Sequence, residues 1–180
     1  MDFYINDDTA WLRRAVRWVV NIVVAIACGW FLVYGFGEQV LISGNSMQPQ
    51  SSAQDVVLMN RIIYVTGTPD RFDVVVFERE DGKKNVKRII GLPGETVQIR
   101  DNRVYINGEP LKEDKMGEVS LAGRAADPVR LGEKEYFLLG DNRGSSEDSR
   151  FPNIGNVKRE QILGKAWFRM LPLLNLGFVS

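Results

Sequence analysis

The chain has 180 residues, 44% hydrophobic and 26% charged, the make-up of a folded protein with room for one ordinary domain and an added segment. Its 23 lysines and arginines balance its 23 aspartates and glutamates, so there is no basic excess to meet phosphates, and nucleic acid is not an expected partner. Histidine is absent and cysteine occurs once, at Cys28, which excludes Ser-His-Asp and Cys-His catalysis, histidine zinc sites, an intrachain disulfide and cysteine-rich metal sites.

Trp18 to Phe36 is a run of 19 residues without a charge, with Asn21 its one strongly polar side chain. As a helix it reaches about 28 Å, enough to cross the hydrocarbon core of a bilayer. Arg13, Arg14 and Arg17 precede it and no lysine or arginine follows until Arg61, so the positive-inside rule puts residues 1–17 in the cytoplasm and residues 38–180 outside. Trp18 at one end and Trp30, Phe31, Tyr34 and Phe36 toward the other have the character of interfacial anchors. The alternative is a cleaved signal peptide, because Ala25-Ile26-Ala27 has the small-x-small look of a cleavage site and Cys28 after it suggests a lipoprotein signal. The apolar run continues eight residues past Cys28, longer than a signal peptide needs, which favours an uncleaved anchor and leaves Cys28 as a small apolar side chain.

Beyond Gly37 the texture is β: short β-branched runs separated by turn residues at Asp55–Met59, Asp73–Phe77, Val86–Ile90 and Tyr136–Leu139. Asp101-Asn102 divides the alternating run Ile99–Ile106, and Asn107-Gly108 follows at once, giving two hairpin signals. Residues 112–135 are charged, small and poorly periodic, as expected of a surface excursion. Trp167–Val179 is apolar but interrupted by Arg169 and Pro172 and too short to span, so it reads as core closure or as a surface resting on the membrane. The expected architecture is mainly β: one transmembrane helix, 18–36, followed by an all-β domain, 38–180.

Without histidine, an economical nucleophile system is a serine activated by a lysine that is neutral at working pH. The segment Ser43-Gly44-Asn45-Ser46-Met47-Gln48-Pro49 offers a serine in a glycine-containing turn, though alone it also fits an ordinary turn. Lys87 lies between Val86 and Ile89-Ile90, where successive strand residues face opposite ways and Lys87 can enter a site while Arg88 points away. Alone it equally fits a solvated strand lysine.

Together the segments carry more. Ser46-Met47-Gln48-Pro49, Arg71–Phe77, Val86–Glu95 (VKRIIGLPGE) and Gly140–Arg150 (GDNRGSSEDSR) resemble, in order, the four boxes of type I signal peptidases, peptidase family S26. The resemblance covers about residues 12–172. It implies a membrane-anchored serine endopeptidase with an all-β catalytic domain on the extracytoplasmic face of the bacterial cytoplasmic membrane, acting on signal peptides of exported preproteins, with no metal or cofactor. It also implies contact with the lipid bilayer and proximity to the secretion translocon. By motif, Ser46 resembles the nucleophile, Lys87 the general base and Ser146 the serine that orients the lysine, while Asp148 and Arg150 match a structural ion pair beside the site. Asp141, Asn142 and Arg143 are then scaffold. The family preference for small residues one and three positions before the cut, Ala-x-Ala, implies shallow apolar pockets, and the motif resemblance puts Ile42, Met47, Val76 and Val86 near them.

Two positions depart from the pattern: Gln50 replaces the usual threonine after the proline, and Gly44 replaces a serine that in many relatives donates to the oxyanion. If the segment is extended, Gly44 shares a face with Ser46 and Ser43 lies opposite, so the oxyanion region is expected to use backbone donors, the Ser46 N–H among them, beside a bare Gly44. Two rival readings remain. One keeps the dyad with another substrate, as in self-cleaving repressor domains or pilin-processing peptidases; the other is a tethered β scaffold or an inactive signal-peptide binder.

Overall fold

The structure, a computed structural model, describes residues 10–42, 44–49, 51–172 and 175–179. Helix α1 spans Ala10–Phe36 and contains no proline. It starts eight residues before the uncharged run because arginine is a good helix former: Arg13, Arg14 and Arg17 end the apolar stretch without ending the helix. Residues Trp11–Tyr34 are exposed throughout, and the span Trp11–Gly35 is long and apolar enough to cross a membrane.

The rest is mostly strand. In chain order come β1 (Glu38–Leu41), β2 (Val56–Asn60), the single helical turn α2 (Ile63–Thr66), β3 (Val74–Glu78) and β4 (Lys84–Gly91). Then follow β5 (Thr96–Arg100), β6 (Arg103–Ile106), β7 (Glu109–Pro110), β8 (Val129–Arg130), β9 (Glu135–Leu139), β10 (Val157–Lys158), β11 (Ile162–Leu171) and β12 (Gly177–Phe178). Every pairing is antiparallel. The larger sheet runs β1-β2-β11-β3-β4-β9-β10, with β12 added to β11, and the smaller runs β7-β6-β5-β8.

Both hairpin signals are met. Asp101 (φ 50°) and Asn102 (φ 57°) form the two-residue turn between β5 and β6, and Asn107 (φ 53°) with Gly108 (φ 86°) forms the next. Positive φ at both central residues matches the right-handed twist of the flanking strands, which is why Asn, Asp and Gly occupy them. At the junction of the sheets, a Cβ on Gly91 would stand 2.5–2.9 Å from Val97, Leu131 and Phe137, so β4 passes where only a glycine fits.

The excursion 112–135 is a correction. It includes a 3₁₀ turn at Gly123–Ala126 and β8, and it buries Val119, Ala125, Val129 and Leu131 in the core of the smaller sheet. Val119 stands singly between Glu118 and Ser120, Ala125 is too small to mark a core, and Val129-Arg130-Leu131 alternates over only three residues, so no full helical or strand period reveals them. The C-terminal run divides: Ala166 of β11 closes the core, while Phe178 of β12 is 76% exposed and groups with Trp167 and Phe168.

Candidate active site

After β1 the chain turns back through Gly44–Pro49, and this turn carries Ser46. Its neighbour Met47 is fully buried and acts as the plug that seats the turn in the apolar cluster formed with β1, β2, β3 and β4. Loop 140–150 holds the turn from the other side. The Asn142 backbone N–H donates to the Ser46 carbonyl (3.0 Å) and Asn142 Nδ2 donates to the Asn45 carbonyl (3.1 Å). Gly140 lies directly against both segments: a Cβ there would be 2.5 Å from the Ser46 carbonyl oxygen and 2.1 Å from Ser146 Oγ.

Lys87 projects from β4, opposite Val75 of β3, and its Nζ lies 2.7 Å from Ser46 Oγ. The lysine is only 4% exposed, and burial pushes its pKa from 10.5 down to about 8. Asp148, Glu147 and Asp141 oppose that shift and Arg79 adds to it. Among the described residues the ammonium makes no ion pair, because the nearby carboxylates are already engaged. Arg88, the next residue, holds Asp141 through two bonds of 2.8 and 2.7 Å and also donates to the Phe72 carbonyl. Arg150 holds Asp148 the same way, 2.8 and 2.9 Å, and the second Asp148 oxygen accepts the Gly140 N–H at 3.0 Å. Both pairs are almost fully buried.

Ser46, Lys87, Asp148 and Arg150 are thus brought together. Ser146 is there too, 5% exposed and packed on Gly140, but its hydroxyl makes no hydrogen bond among the described residues, and Lys87 bonds Ser46 instead. Ile42, Met47, Val76 and Val86 all belong to the one buried cluster beside the turn, with exposures of 3, 0, 0 and 6%, so they adjoin the site while their side chains fill one another's space.

One premise of the oxyanion expectation, the extended backbone at Gly44, is not met. Its φ of +80° places it in the left-handed region, so the chain turns there and the alternation of an extended strand does not hold. Ser43 and Gln50 lie outside the described residues. Gly44 is exposed and a Cβ on it would meet nothing within 4 Å, which leaves open space beside Ser46.

Sequence reasoning missed Asp114. Arg143 binds it bidentately (2.7 and 2.6 Å), fastening the excursion to the 140–150 loop. No pattern in the sequence marks that aspartate; it is one charge in a charged stretch.

A family model described as "Signal peptidase, peptidase S26" matches residues 15–171. The chain is 32% identical over 180 residues to a probable signal peptidase I-2 from Synechocystis sp., covering 96% of this chain and 79% of that protein. It is 34% identical to signal peptidase I T of Bacillus subtilis, covering 87% and 86% respectively. A crystal structure of a signal peptidase I from Enterococcus faecalis is similar with a TM-score of 0.47 at 35% identity, over 55% of this chain and 97% of that one. A match along most of the chain, joined to relatives above 30% identity, makes this chain a member of the signal peptidase family, peptidase S26.

Proposed function

We propose that the chain is a membrane-anchored serine endopeptidase that removes N-terminal signal peptides from exported preproteins after an Ala-x-Ala-like site, with Ser46 as nucleophile and Lys87 as general base. The observation that carries this reading is the 2.7 Å approach of Lys87 Nζ to Ser46 Oγ in a site that lowers the lysine's pKa to about 8. At that value an appreciable fraction of the amine is neutral near pH 7.5 and can accept the Ser46 proton as Oγ attacks the scissile carbonyl. The ammonium so formed protonates the departing amine, which leaves an acyl-enzyme on Ser46. Neutral again, Lys87 takes a proton from water as that water attacks the acyl carbonyl, and the ammonium returns the proton to Ser46 Oγ as the acyl group leaves as a carboxylic acid.

The site supplies what such a sequence of steps needs. Asn142 fixes the Ser46 backbone, so the Ser46 N–H is held for the oxyanion, and Gly44 leaves room for the substrate backbone. Ser146 is the group that orients Lys87 once Ser46 Oγ turns to the substrate, since its buried hydroxyl otherwise lacks a partner. Ile42, Met47, Val76 and Val86 form the apolar wall that limits the substrate to small side chains. In this reading 1–17 is the cytoplasmic segment, 18–36 the membrane anchor and 38–180 the extracytoplasmic catalytic domain, close to the secretion translocon that delivers the preproteins.

The test is cleavage of an Ala-x-Ala preprotein by the full chain in detergent. Ser46→Ala and Lys87→Arg should both be inactive with the fold retained, because a guanidinium stays protonated in proteins. Turnover by Lys87→Arg well above the Ser46→Ala background would remove Lys87 from the role of base.

A further inference from the structure

The excursion 112–135 grips loop 140–150 at two arginines. At Arg150 the grip on the excursion is backbone: the guanidinium donates to the Leu121 carbonyl (3.0 Å), the Arg124 N–H donates to the Arg150 carbonyl (2.9 Å), and Gly123 lies against that carbonyl with no room for a Cβ. Residues 121 and 124 could change their side chains and keep those bonds. At Arg143 the grip is a carboxylate. Lys112, Glu113, Lys115 and Glu118 are exposed, whereas Asp114 turns inward; its Oδ1 accepts the Met116 N–H (3.2 Å), and its two oxygens take Arg143 Nη1 and Nη2 at 2.7 and 2.6 Å. The two side chains are 10% and 3% exposed, so the fork is held largely out of water, where charge-assisted bonds fix geometry best.

Arg143 carries that grip toward Ser46. Its Nε donates to the Gly140 carbonyl (3.1 Å) and its backbone N–H to the Asp141 carbonyl (3.1 Å), which pins the turn 140–143. The same turn carries Asn142. Its backbone N–H holds the Ser46 carbonyl and its Nδ2 holds the Asn45 carbonyl, while its Oδ1 accepts the Ser145 N–H (3.2 Å) and so aims the amide. Those two carbonyls belong to the two peptide units that flank the Ser46 Cα. Because a peptide unit is planar, a fixed Asn45 carbonyl fixes the direction of the Ser46 N–H.

We propose that Asp114 is a positioning residue of the reaction: through Arg143 and Asn142 it holds the two peptide planes around Ser46, and with them the N–H that meets the oxyanion. The proposal rests on the reading that Ser46 is the nucleophile. The oxyanion develops in the transition state and is absent from bound substrate, so a misdirected N–H lowers kcat and leaves KM in place. A carboxylate that served only to fasten the excursion would lower the melting temperature and leave the kcat of folded protein unchanged.

The experiment measures kcat and KM of the full chain in detergent with a fluorogenic Ala-x-Ala peptide, well below the melting temperature. Asp114→Asn keeps the shape but gives up the charged fork. It should lower kcat by about 10- to 100-fold with KM within about twofold, since an ångström of displacement costs on the order of a hundredfold. Asp114→Glu keeps a carboxylate and should bring kcat back to within about fivefold of wild type. Asn142→Ala lies on the same route, so adding Asp114→Asn to it should cost less than about threefold more, where independent effects would multiply. A folded Asp114→Asn variant with kcat within about twofold of wild type, or losses at 114 and 142 that multiply, overturns the proposal. Should Asp114→Asn not fold, Arg143→Lys, which keeps the charge without the fork, decides by the same split of kcat from KM. Ser46→Ala is the control for the underlying reading: cleavage by that variant at the wild-type rate, or none by the wild type, overturns the peptidase reading and the role of Asp114 with it.

Discussion

The pKa of Lys87 makes two measurements that must agree, one of rate and one of stability. With the value at about 8, the neutral fraction is about 1% at pH 6, 9% at pH 7 and 50% at pH 8. Cleavage of a preprotein at subsaturating concentration should therefore rise about tenfold from pH 6 to 7 and about fivefold from 7 to 8, and level off above about 9. The stability effect follows from linkage. The folded pKa is depressed below the unfolded 10.5, so between these values the unfolded state binds more protons and stability rises with pH. Below about pH 8 the full penalty of burying the charge is present, about 3 kcal/mol for a shift of this size. Lys87→Met removes the charge at similar volume and should stabilise the domain by up to about that amount at pH 7, with the gain shrinking between pH 8 and 10.5. In thermal unfolding followed by tryptophan fluorescence in detergent, that is about 6–12 °C at pH 7. A rate flat from pH 6 to 9, or a Lys87→Met variant less stable than wild type at pH 7, would refute the assignment of a depressed pKa to this lysine.

Ser146→Ala removes a buried hydroxyl that makes no hydrogen bond among the described residues, so stability should hold or rise, while on the proposed reading cleavage falls because Lys87 loses the group that orients it. Melting and turnover measured on one preparation check it; a loss of both together would mean that the hydroxyl is structural. Gly140→Ala places a Cβ within 2.5 Å of the Ser46 carbonyl and of Ser146 Cβ, so either the Ser46 turn or Ser146 must shift. Overpacking costs about 1–3 kcal/mol and an ångström of displacement about a hundredfold in rate, so activity should fail well before folding does, as circular dichroism and peptide cleavage would show.

The sequence was legible where local chemistry decides the outcome. Asp101-Asn102 and Asn107-Gly108 announce their turns because few residues tolerate positive φ, and the long apolar helix announces itself by its uncharged run. Lys87 and Arg88 were separable by strand alternation, and the structure sends them to different partners. What stayed hidden depends on distant segments. Val119 and Leu131 become core only when residues 112–135 fold over the smaller sheet, and Asp114 matters only because Arg143 arrives from 29 residues away. The alternation argument at Gly44 was conditional on extended backbone, and that condition is not met, because the glycine turns the chain at φ +80°.

In the proposed mechanism the basicity of Lys87 depends on keeping carboxylates away from it. Lys87 and Arg88 are adjacent and buried, yet among the described residues Arg88 has a carboxylate in two bonds and Lys87 has none. Asp148 is the strongest single influence holding the Lys87 pKa up, and its charge is already shared between Arg150 and the Gly140 N–H. Removing Arg150 frees that charge for the lysine. Arg150→Gln should move the acidic limb of cleavage to higher pH, with activity lost at pH 7 and partly regained near pH 9–10, besides the roughly 3–5 kcal/mol lost when a buried pair is broken. Asp148→Asn should move the limb the other way, because it removes the influence that raises the lysine's pKa. A pair that served only to hold the loop would lower the rate equally at every pH in both variants. Limbs superimposable on wild type, in protein shown by circular dichroism to be folded, would therefore reduce Asp148 and Arg150 to scaffold and leave burial, with Arg79, as the causes of the lysine's lowered pKa.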